Sequence, residues 1–195
     1  MEKRESDFYN DNEVYGKFGE QDFIKQFEAL GFNVKNVSED LEFQLADIDF
    51  IVSKNPIKLL DYHNLLFSRD YTKRDIYKFE VKTDTMGYHT RNVVYEFIAH
   101  DFAGCLGGSK ADFVYYVFVN DANGTLEKLE AWSIDLGKWR KYIRENFFDP
   151  NITMDVAERV WGIKRNNLTR QELNGANLLC NIDKLNEHGV AKKIF

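Results

Sequence analysis

The sequence has few of the features that would place it outside the globular proteins. Its 195 residues include only two prolines and two cysteines, which excludes a proline-rich chain, a disulfide framework and a cysteine-based metal site. The strongest apolar run, residues 113–119, is far shorter than the ~20 residues that span a bilayer. The opening residues, MEKRESDFYN, lack the apolar stretch of a secretory signal. We therefore expect a cytoplasmic protein that does not contact a membrane.

Positive charge is not in excess. The formal net charge is −6, which argues against broad, nonspecific binding to nucleic acid. It does not exclude an enzyme that acts on nucleic acid, because carboxylates that hold a metal ion are themselves acidic and a basic surface can be local. Hydrophobic residues make up 44% of the chain and aromatic residues 15%. This composition supplies a real core, and the length suits one domain with an appended tail.

Hydrophobic periodicity predicts an α/β fold. Residues 14–30 carry an apolar stripe at helical spacing and end at Gly31, which suits the left-handed conformation after a helix. Asp135 is placed to cap a second helix that runs to about Phe147. Alternating or continuous apolar segments predict strands between the two helices. These strands are residues 42–53 (one strand or two), 76–83, 92–98, 113–119 and 129–134.

The domain organisation follows from the same pattern. We assign a core domain to residues 1–150. Residues 151–195 are polar and mixed, and we predict a mostly helical C-terminal extension packed on that core. The irregular connection over residues 54–75 is long for a compact domain; it either contacts a substrate or packs as decoration.

Two pairs of charged residues fall on predicted strands. Asp47 and Asp49 are two residues apart at the start of an apolar run, so they share one strand face. Glu80 and Lys82 share one face of the strand over 76–83, with apolar residues on the other. Each pair also has a simpler explanation. Asp47 and Asp49 are compatible with a strand that begins at the solvated surface, and Glu80 and Lys82 with an exposed sheet face that carries alternating charges.

A third acidic position lies in the first helix. Glu20 falls on the core-facing stripe of this helix. A carboxylate in that position needs a partner, since burying an unpaired charge is expensive. The alternative is a glutamate in the first helical turn, which the helix dipole favours.

Together these residues place two carboxylates and an ammonium around one point. Two carboxylates can hold a hard divalent cation such as Mg²⁺, which keeps several waters. The metal lowers the pKa of a bound water and stabilises charge on a phosphoryl oxygen, while a lysine positions the water or neutralises developing charge. The set is suited to hydrolysis of a phosphodiester.

The order of these residues resembles the PD-(D/E)XK nuclease superfamily, in which a helix glutamate precedes a strand aspartate and a strand Glu-x-Lys. The likeness is strongest to small bacterial and phage members and to members similar to Holliday-junction resolvases. It covers roughly the first 120 residues if the later stretch NVVYEFIAHDFAGCLGGSKADFVYYVF (92–118) is included. The segments that carry it are GKFGEQDFIKQFEALGFNV (16–34), ADIDFIV (46–52) and YKFEVKTD (77–84).

The resemblance implies a restriction-endonuclease-like core, with a mixed central sheet flanked by helices. It implies an endonuclease that hydrolyses DNA with Mg²⁺, for which Mn²⁺ substitutes. Asp49 and Glu80 would bind the metal, Lys82 would orient or activate the attacking water, and Glu20 would hold a metal-bound water or orient the lysine. Asp47 remains the rival of Asp49, which we favour because apolar residues follow it directly.

Other candidates have weaker support. Glu96, on a strand that we expect beside the motif strand, is either a further metal-site carboxylate or an edge-strand glutamate. The run GCLGGSK over residues 104–110 resembles a phosphate-binding loop only loosely and predicts a turn. The second helix carries a basic surface that meets a phosphate backbone or is simply solvated. Its residues are Lys138, Arg140, Lys141 and Arg144.

A second hypothesis remains open. The acidic total also suits a protein that keeps the nuclease fold but only binds nucleic acid or another protein. We expect a nucleic-acid partner, for which the resemblance implies DNA; cleavage of RNA stays open as an alternative, and a homodimer is compatible with the sequence. Titration of Mg²⁺ or Mn²⁺ against plasmid and branched DNA separates the two hypotheses, because a binding module does not cleave.

Overall fold

The computed structural model describes residues 8–56, 75–99, 102–103, 108–122, 124–147, 163–166 and 175–195. None of the helices in these ranges has both the length and the apolar character needed to cross a membrane. The predicted connection over 54–75 and most of the 104–110 run lie outside the described residues.

The described residues form helices and strands that alternate irregularly along the chain. The helices are α1 (Phe8–Ala29), α2 (Leu41–Gln44), α3 (Gly87–Thr90), α4 (Leu136–Phe147) and α5 (Ile182–Glu187). The strands are β1 (Asn33–Asn36), β2 (Phe50–Ser53), β3 (Ile76–Asp84), β4 (Asn92–Ala99), β5 (Phe102–Ala103), β6 (Phe113–Ala122), β7 (Thr125–Asp135), β8 (Ile163–Asn166), β9 (Gly175–Asn181) and β10 (Ala191–Lys193).

The central sheet has six strands in the order β1-β2-β3-β6-β7-β10. Strand β3 pairs in parallel with β6, and the other neighbours pair antiparallel. Because the sheet mixes both orientations and carries helices, the predicted α/β class with a mixed central sheet is confirmed. Strand β3 therefore lies in the middle of the sheet, between β2 and β6. Its parallel partner β6 is distant from it in sequence.

Helix α1 covers one face of this sheet through aromatic packing. The ring of Phe23 stacks on Phe27 and Phe50, with centroids 4.4 and 4.7 Å apart, and also contacts Phe79 of β3. Burying such rings is the main source of stability for a helix that packs on a sheet. The helix ends before Gly31, whose φ of +81° is the predicted left-handed conformation.

Helix α4 packs on the opposite face. Trp139 and Ile143 are fully buried there, in a cluster that includes Val114 and Tyr116 of β6. The predicted cap is present, since Asp135 Oδ1 accepts a hydrogen bond of 2.9 Å from the backbone N–H of Lys138. Residues at alternate positions of the central strands therefore point either toward α1 or toward α4.

A second sheet, in the order β5-β4-β9-β8, adds to the α4 side. Strand β4 pairs antiparallel with β5 and with β9. The expectation that the strand of Glu96 lies beside the motif strand is therefore wrong, because the neighbours of β3 are β2 and β6. Strand β4 carries strong β-branched and aromatic character, but that composition does not specify which sheet it joins.

Two expectations differ from the structure. Only the last four of residues 42–53 form a strand, β2, which begins at Phe50. The earlier residues include a single helical turn, which the Asp40 carboxylate caps by accepting from the N–H of Glu42 at 3.1 Å. The described residues after 150 are mainly strands, with one helix of six residues. A mostly helical C-terminal extension is not confirmed, because these residues pair with β4 and β7 instead.

Candidate active site

The two motif strands place Asp49 beside Glu80. Strand β3 has nine residues and β2 only four, and their pairing begins with Phe50 opposite Phe79. The residue before Phe50 is therefore opposite the residue after Phe79. Beyond this point β3 continues alongside β6 alone, so the site forms where β3 extends past the start of β2.

The Asp49 carboxylate bonds to β3 at a position that β2 does not reach. The N–H of Asp49 donates to the carbonyl of Phe79 at 2.9 Å, and Asp49 Oδ2 accepts from the N–H of Val81 at 2.8 Å. This second bond satisfies a backbone donor that β2 is too short to reach. Burial raises the pKa of Asp49, partly offset by the Val81 N–H and by the charge of Lys82.

Glu80 is the most strongly perturbed carboxyl group of the site. It is buried, and its Oε1 lies 2.8 Å from Lys82 Nζ, whose side chain is 37% exposed. Burial raises the pKa of Glu80 to about 7 against the attraction of Lys82, and the nearby charges of Asp49 and Asp47 raise it further. Both side chains leave β3 on the α4 face, since Phe79 and Val81 pack against α1.

Asp47 lies in the turn between α2 and β2. Its φ of +48° is in the left-handed region that residues other than glycine rarely adopt. Its carbonyl accepts a hydrogen bond of 3.0 Å from Ser109 Oγ. Burial raises the pKa of Glu80 and the charge of Asp47 adds to that rise, while Asp49 accepts a hydrogen bond from the N–H of Val81 in β3.

Glu20 approaches the same end of the sheet from α1. Burial raises its pKa first, followed by the charge of Asp49, while a hydrogen bond from the Asn36 side chain lowers it. The preceding residue explains this position: a Cβ on Gly19 would lie 2.2 Å from Thr83 Oγ1 and 3.1 Å from Val81 Cγ1. Glycine thus lets α1 approach β3 closely enough to bring Glu20 toward Asp49.

The structure therefore brings four of the predicted site residues to one place, since Asp47, Asp49, Glu80 and Lys82 lie around the end of the β2–β3 pairing. Glu20 lies on the α1 side of the sheet, and its pKa is raised by burial and by the charge of Asp49. The side chain of Glu96 lies outside the described residues. Its strand belongs to the second sheet.

The basic residues of α4 have mixed surroundings. Arg140 is partly buried, and its guanidinium donates to the carbonyl of Ser109 and to the hydroxyl of Tyr95. Lys138 Nζ lies 3.6 Å from Asp135 Oδ2, and Lys141 Nζ lies 3.7 Å from Glu145 Oε1, one turn further along the helix. Arg144 is exposed. Because Arg140 points inward, only Lys138, Lys141 and Arg144 of the predicted basic surface face the solvent.

Two residues at this end of the sheet were not singled out from the sequence. Lys78 is buried, and burial lowers its pKa against the attraction of Asp112. Ser109 is also buried and bonds to the turn of Asp47. The alternation of β3 did indicate that Lys78 shares a face with Glu80, but its burial depends on elements distant in sequence.

The site carries more negative than positive charge, and this suits a divalent cation. The pKa values of Glu80, Asp49 and Glu20 are all raised, as expected when carboxylates are buried together with too little positive charge nearby. Within the described ranges, no three His, Cys, Asp or Glu residues are grouped so that they could hold a metal ion. One or two carboxylates with several waters are nevertheless the usual ligands of Mg²⁺, so Asp49 and Glu80 fit this ion.

The chain matches no protein-family model, and comparisons with curated proteins and with solved structures found no significant match.

Proposed function

We propose that the protein is a metal-dependent nuclease that hydrolyses phosphodiester bonds in DNA. The observation that carries the proposal is the placement of Asp49 and Glu80, two carboxyl groups with raised pKa values, next to Lys82 at the end of the β2–β3 pairing. Perturbed carboxyl groups clustered with a lysine are typical of functional sites. The ordered motifs of the PD-(D/E)XK superfamily and the mixed sheet support a restriction-endonuclease-like core.

In this proposal Asp49 and Glu80 hold Mg²⁺, for which Mn²⁺ substitutes. The bound metal supplies a more acidic water and stabilises charge on the phosphoryl oxygen. The bond from the Val81 N–H holds one oxygen of Asp49 in place, which preserves the position of the other. A carboxylate fixed in this way loses little further conformational freedom when it binds a ligand.

Lys82 orients the attacking water and balances the charge that develops on the phosphate. Its ammonium is held by Glu80 at 2.8 Å yet is partly exposed, so it can contact both the site and a substrate. Preorganised charge of this kind acts mainly on the transition state. Glu20, whose pKa is raised by burial and by the charge of Asp49, holds a further water of the site or orients the lysine.

The test is single-turnover cleavage by the wild type and by Lys82→Ala. Duplex, branched and single-stranded DNA are incubated with Mg²⁺ or Mn²⁺, and binding is measured separately in Ca²⁺, which occupies such sites without supporting efficient hydrolysis. We expect Lys82→Ala to lower the cleavage rate by ~100-fold or more and to weaken binding far less. Lys35→Ala, which removes an exposed lysine on β1, is the matched control and should retain the wild-type rate.

A wild-type protein that cuts none of these substrates, nor RNA, contradicts the nuclease proposal. If it still binds nucleic acid in Ca²⁺, the alternative of a nuclease-fold binding module takes its place. In that case Lys82→Ala removes at most one contact and has no cleavage rate to lower.

A further inference from the structure

The short segment before β6 contacts the turn that carries the site aspartates. Ser109 is 3% exposed, and its hydroxyl donates to the carbonyl of Asp47 at 3.0 Å while accepting from the N–H of Ala111, also at 3.0 Å. The next residue, Lys110, donates its N–H to the carbonyl of Ala46 at 2.8 Å. Two consecutive residues of the segment are therefore bonded to two consecutive residues of the turn.

The same segment is also held by two other parts of the fold, β3 and α4. Asp112 donates its N–H to the carbonyl of Lys78 and accepts the N–H of Lys78 on Oδ2, both at 2.8 Å. The carbonyl of Asp112 accepts from the N–H of Leu136, which begins α4, and the Arg140 guanidinium donates to the carbonyl of Ser109. The segment thus joins β3, α4 and the aspartate turn, and movement of one is resisted by the others.

The turn requires this support because its backbone is strained. The φ of +48° at Asp47 is disfavoured for residues with a Cβ by about 1 kcal/mol or more and persists where the surroundings hold it. Ser109 supplies the side-chain hydrogen bond to the Asp47 carbonyl. Asp49 follows two residues later, so the direction in which the chain leaves Asp47 determines whether the Asp49 carboxylate meets the N–H of Val81.

We propose that Ser109 is a positioning residue: its hydroxyl fixes the turn at Asp47 so that the Asp49 carboxylate stays bonded to Val81 and faces Glu80. The structural part of this inference stands on the hydrogen bonds alone. Its consequence for metal binding rests on the proposed function. A residue that orients a metal ligand in this way typically contributes a factor of 10–100 to metal affinity.

The first experiment measures the position of Asp49 without metal or substrate. Amide hydrogen exchange by NMR reports the protection of the Val81 N–H, whose acceptor is Asp49 Oδ2. We expect Ser109→Ala to speed exchange at Val81 about tenfold, as loss of one buried hydrogen bond would, and to leave the other amides of β3 unchanged. Asp49→Ala gives the upper limit, and Ser109→Thr, which keeps the hydroxyl, should restore much of the protection.

The matched control is Ser133→Ala. Ser133 is partly buried on β7, in the same central sheet as Val81. It should leave exchange at Val81 unaltered. If Ser109→Ala does not fold, Ser109→Cys keeps the side-chain volume while weakening the hydrogen bond and gives the same comparison. Unchanged protection of Val81 in a folded Ser109 variant overturns the inference.

The second experiment measures Mn²⁺ affinity by calorimetry. Ser109→Ala should weaken Mn²⁺ binding about tenfold in the wild-type background and have little effect when Asp49 is already replaced by asparagine. Equal losses in both backgrounds contradict an action through Asp49. A wild type that neither binds Mn²⁺ nor cleaves DNA contradicts the proposed function, whereas faster exchange at Val81 in the same preparation still supports the role of Ser109.

Discussion

At the scale of single residues, the buried carboxyl group of Glu80 links the proposed cation site to the stability of the protein. Its carboxyl group is buried, and its ordinary pKa of 4.5 is raised to about 7 by that burial and by Asp49, against the attraction of Lys82. Folding therefore favours the protonated form of Glu80 relative to the unfolded chain. A bound divalent cation would reverse the preference, because it favours the charged form.

This pKa predicts a pH dependence of stability. Because the pKa is higher in the folded than in the unfolded state, Glu80 contributes stability below pH 4.5 that is lost as the pH rises through about 7. Glu80→Gln should therefore increase the free energy of unfolding at pH 8, by at most about 3 kcal/mol, and change it little at pH 4.5. The measurement is urea unfolding between pH 4.5 and 8 in the presence of EDTA.

Glu127→Gln, at an exposed position of β7, is the control and should leave the profile unchanged. The same Glu80→Gln protein should lose cleavage activity. A gain in stability that is equal at all pH values would show that Glu80 is already ionised in the folded protein at low pH.

At the scale of elements, the contact between α1 and β3 determines whether Glu20 reaches the site. The Cβ that Gly19 lacks would overlap Thr83 Oγ1. Within the described part of the chain, this buried hydroxyl has no hydrogen-bond partner. The close contact of α1 with β3 thus leaves the Thr83 hydroxyl buried without a partner among the described residues. Substitution of Gly19 or of Thr83 tests this contact.

We predict that Gly19→Ala destabilises the protein by about 1–3 kcal/mol, the usual effect of overpacking. Adding Thr83→Ala should recover most of this loss, because it removes the atom that the new Cβ would meet. Gly16→Ala is the matched control in the same helix. A Cβ there meets no atom within 4 Å, and the change should stabilise the helix by about 0.5–1 kcal/mol.

Thermal and urea unfolding of the wild type and the three variants measure these differences. A double variant no more stable than Gly19→Ala would mean that the helix and strand have separated rather than overlapped. In that case the helix glutamate also moves away, and cleavage should fall with stability.

Elements with long periodic patterns could be predicted from the sequence, and those that depend on distant partners could not. The apolar stripe around Phe23 gave α1, and the alternation around Glu80 gave β3 and the face that the site occupies. The single turn of α2 depends on one cap at Asp40, which is too short for periodicity to reveal. Of the strands after residue 150, β8 and β10 are short and mainly polar, whereas β9 contains the buried Leu178 and Cys180. The pairing of β9 with β4 and of β10 with β7 determines their conformation.

The site was predictable to a similar degree. The order of Glu20, Asp49, Glu80 and Lys82 could be recognised because each lies in a patterned segment. The contribution of Ser109 could not, because its hydroxyl acts on a turn sixty-two positions earlier in the chain, and the serine itself lies in an irregular segment.

At the scale of the whole molecule, Arg91 connects the two sheets. It follows α3 with a φ of +56°, and its guanidinium lies 2.7 Å from Asp183 on α5 and 2.8 Å from Glu130 on β7. Its Cζ also lies 5.8 Å from the centre of the Trp132 ring. The fork geometry of arginine suits two carboxylates at once, so one side chain ties the second sheet to the central one.

We predict that Arg91→Ala lowers the free energy of unfolding by about 1–3 kcal/mol at pH 7, and that Arg91→Lys recovers only part of this because it cannot form the fork. The bond from Arg91 lowers the pKa of Asp183. Burial raises the pKa of Glu130, but bonds from Lys193, Arg91 and Trp132 outweigh it. Lowered pKa values give stability that is present above the unfolded values and is lost as the pH falls.

The difference between wild type and Arg91→Ala should therefore shrink below about pH 4, close to the ordinary carboxyl pKa values. Guanidinium unfolding at pH 3 and pH 7 measures it, with the exposed Arg144→Ala as control. A difference that is the same at both pH values would assign the role of Arg91 to packing on Trp132 instead of to its carboxylate partners.

The late position of β10 in the chain has a consequence for synthesis. Strand β7 pairs with β10 along its outer edge, yet a ribosome reaches Lys193 roughly 60 residues after β7, which takes about 3–12 s. During that interval the edge of β7 is open to the strands of other nascent chains. Charged side chains at Glu127, Lys128 and Glu130 discourage such pairing, and Glu130 then receives Lys193 at 2.8 Å when β10 arrives. Glu130 thus discourages pairing with other chains while the edge of β7 is free, and it forms an ion pair with β10 once that edge is occupied.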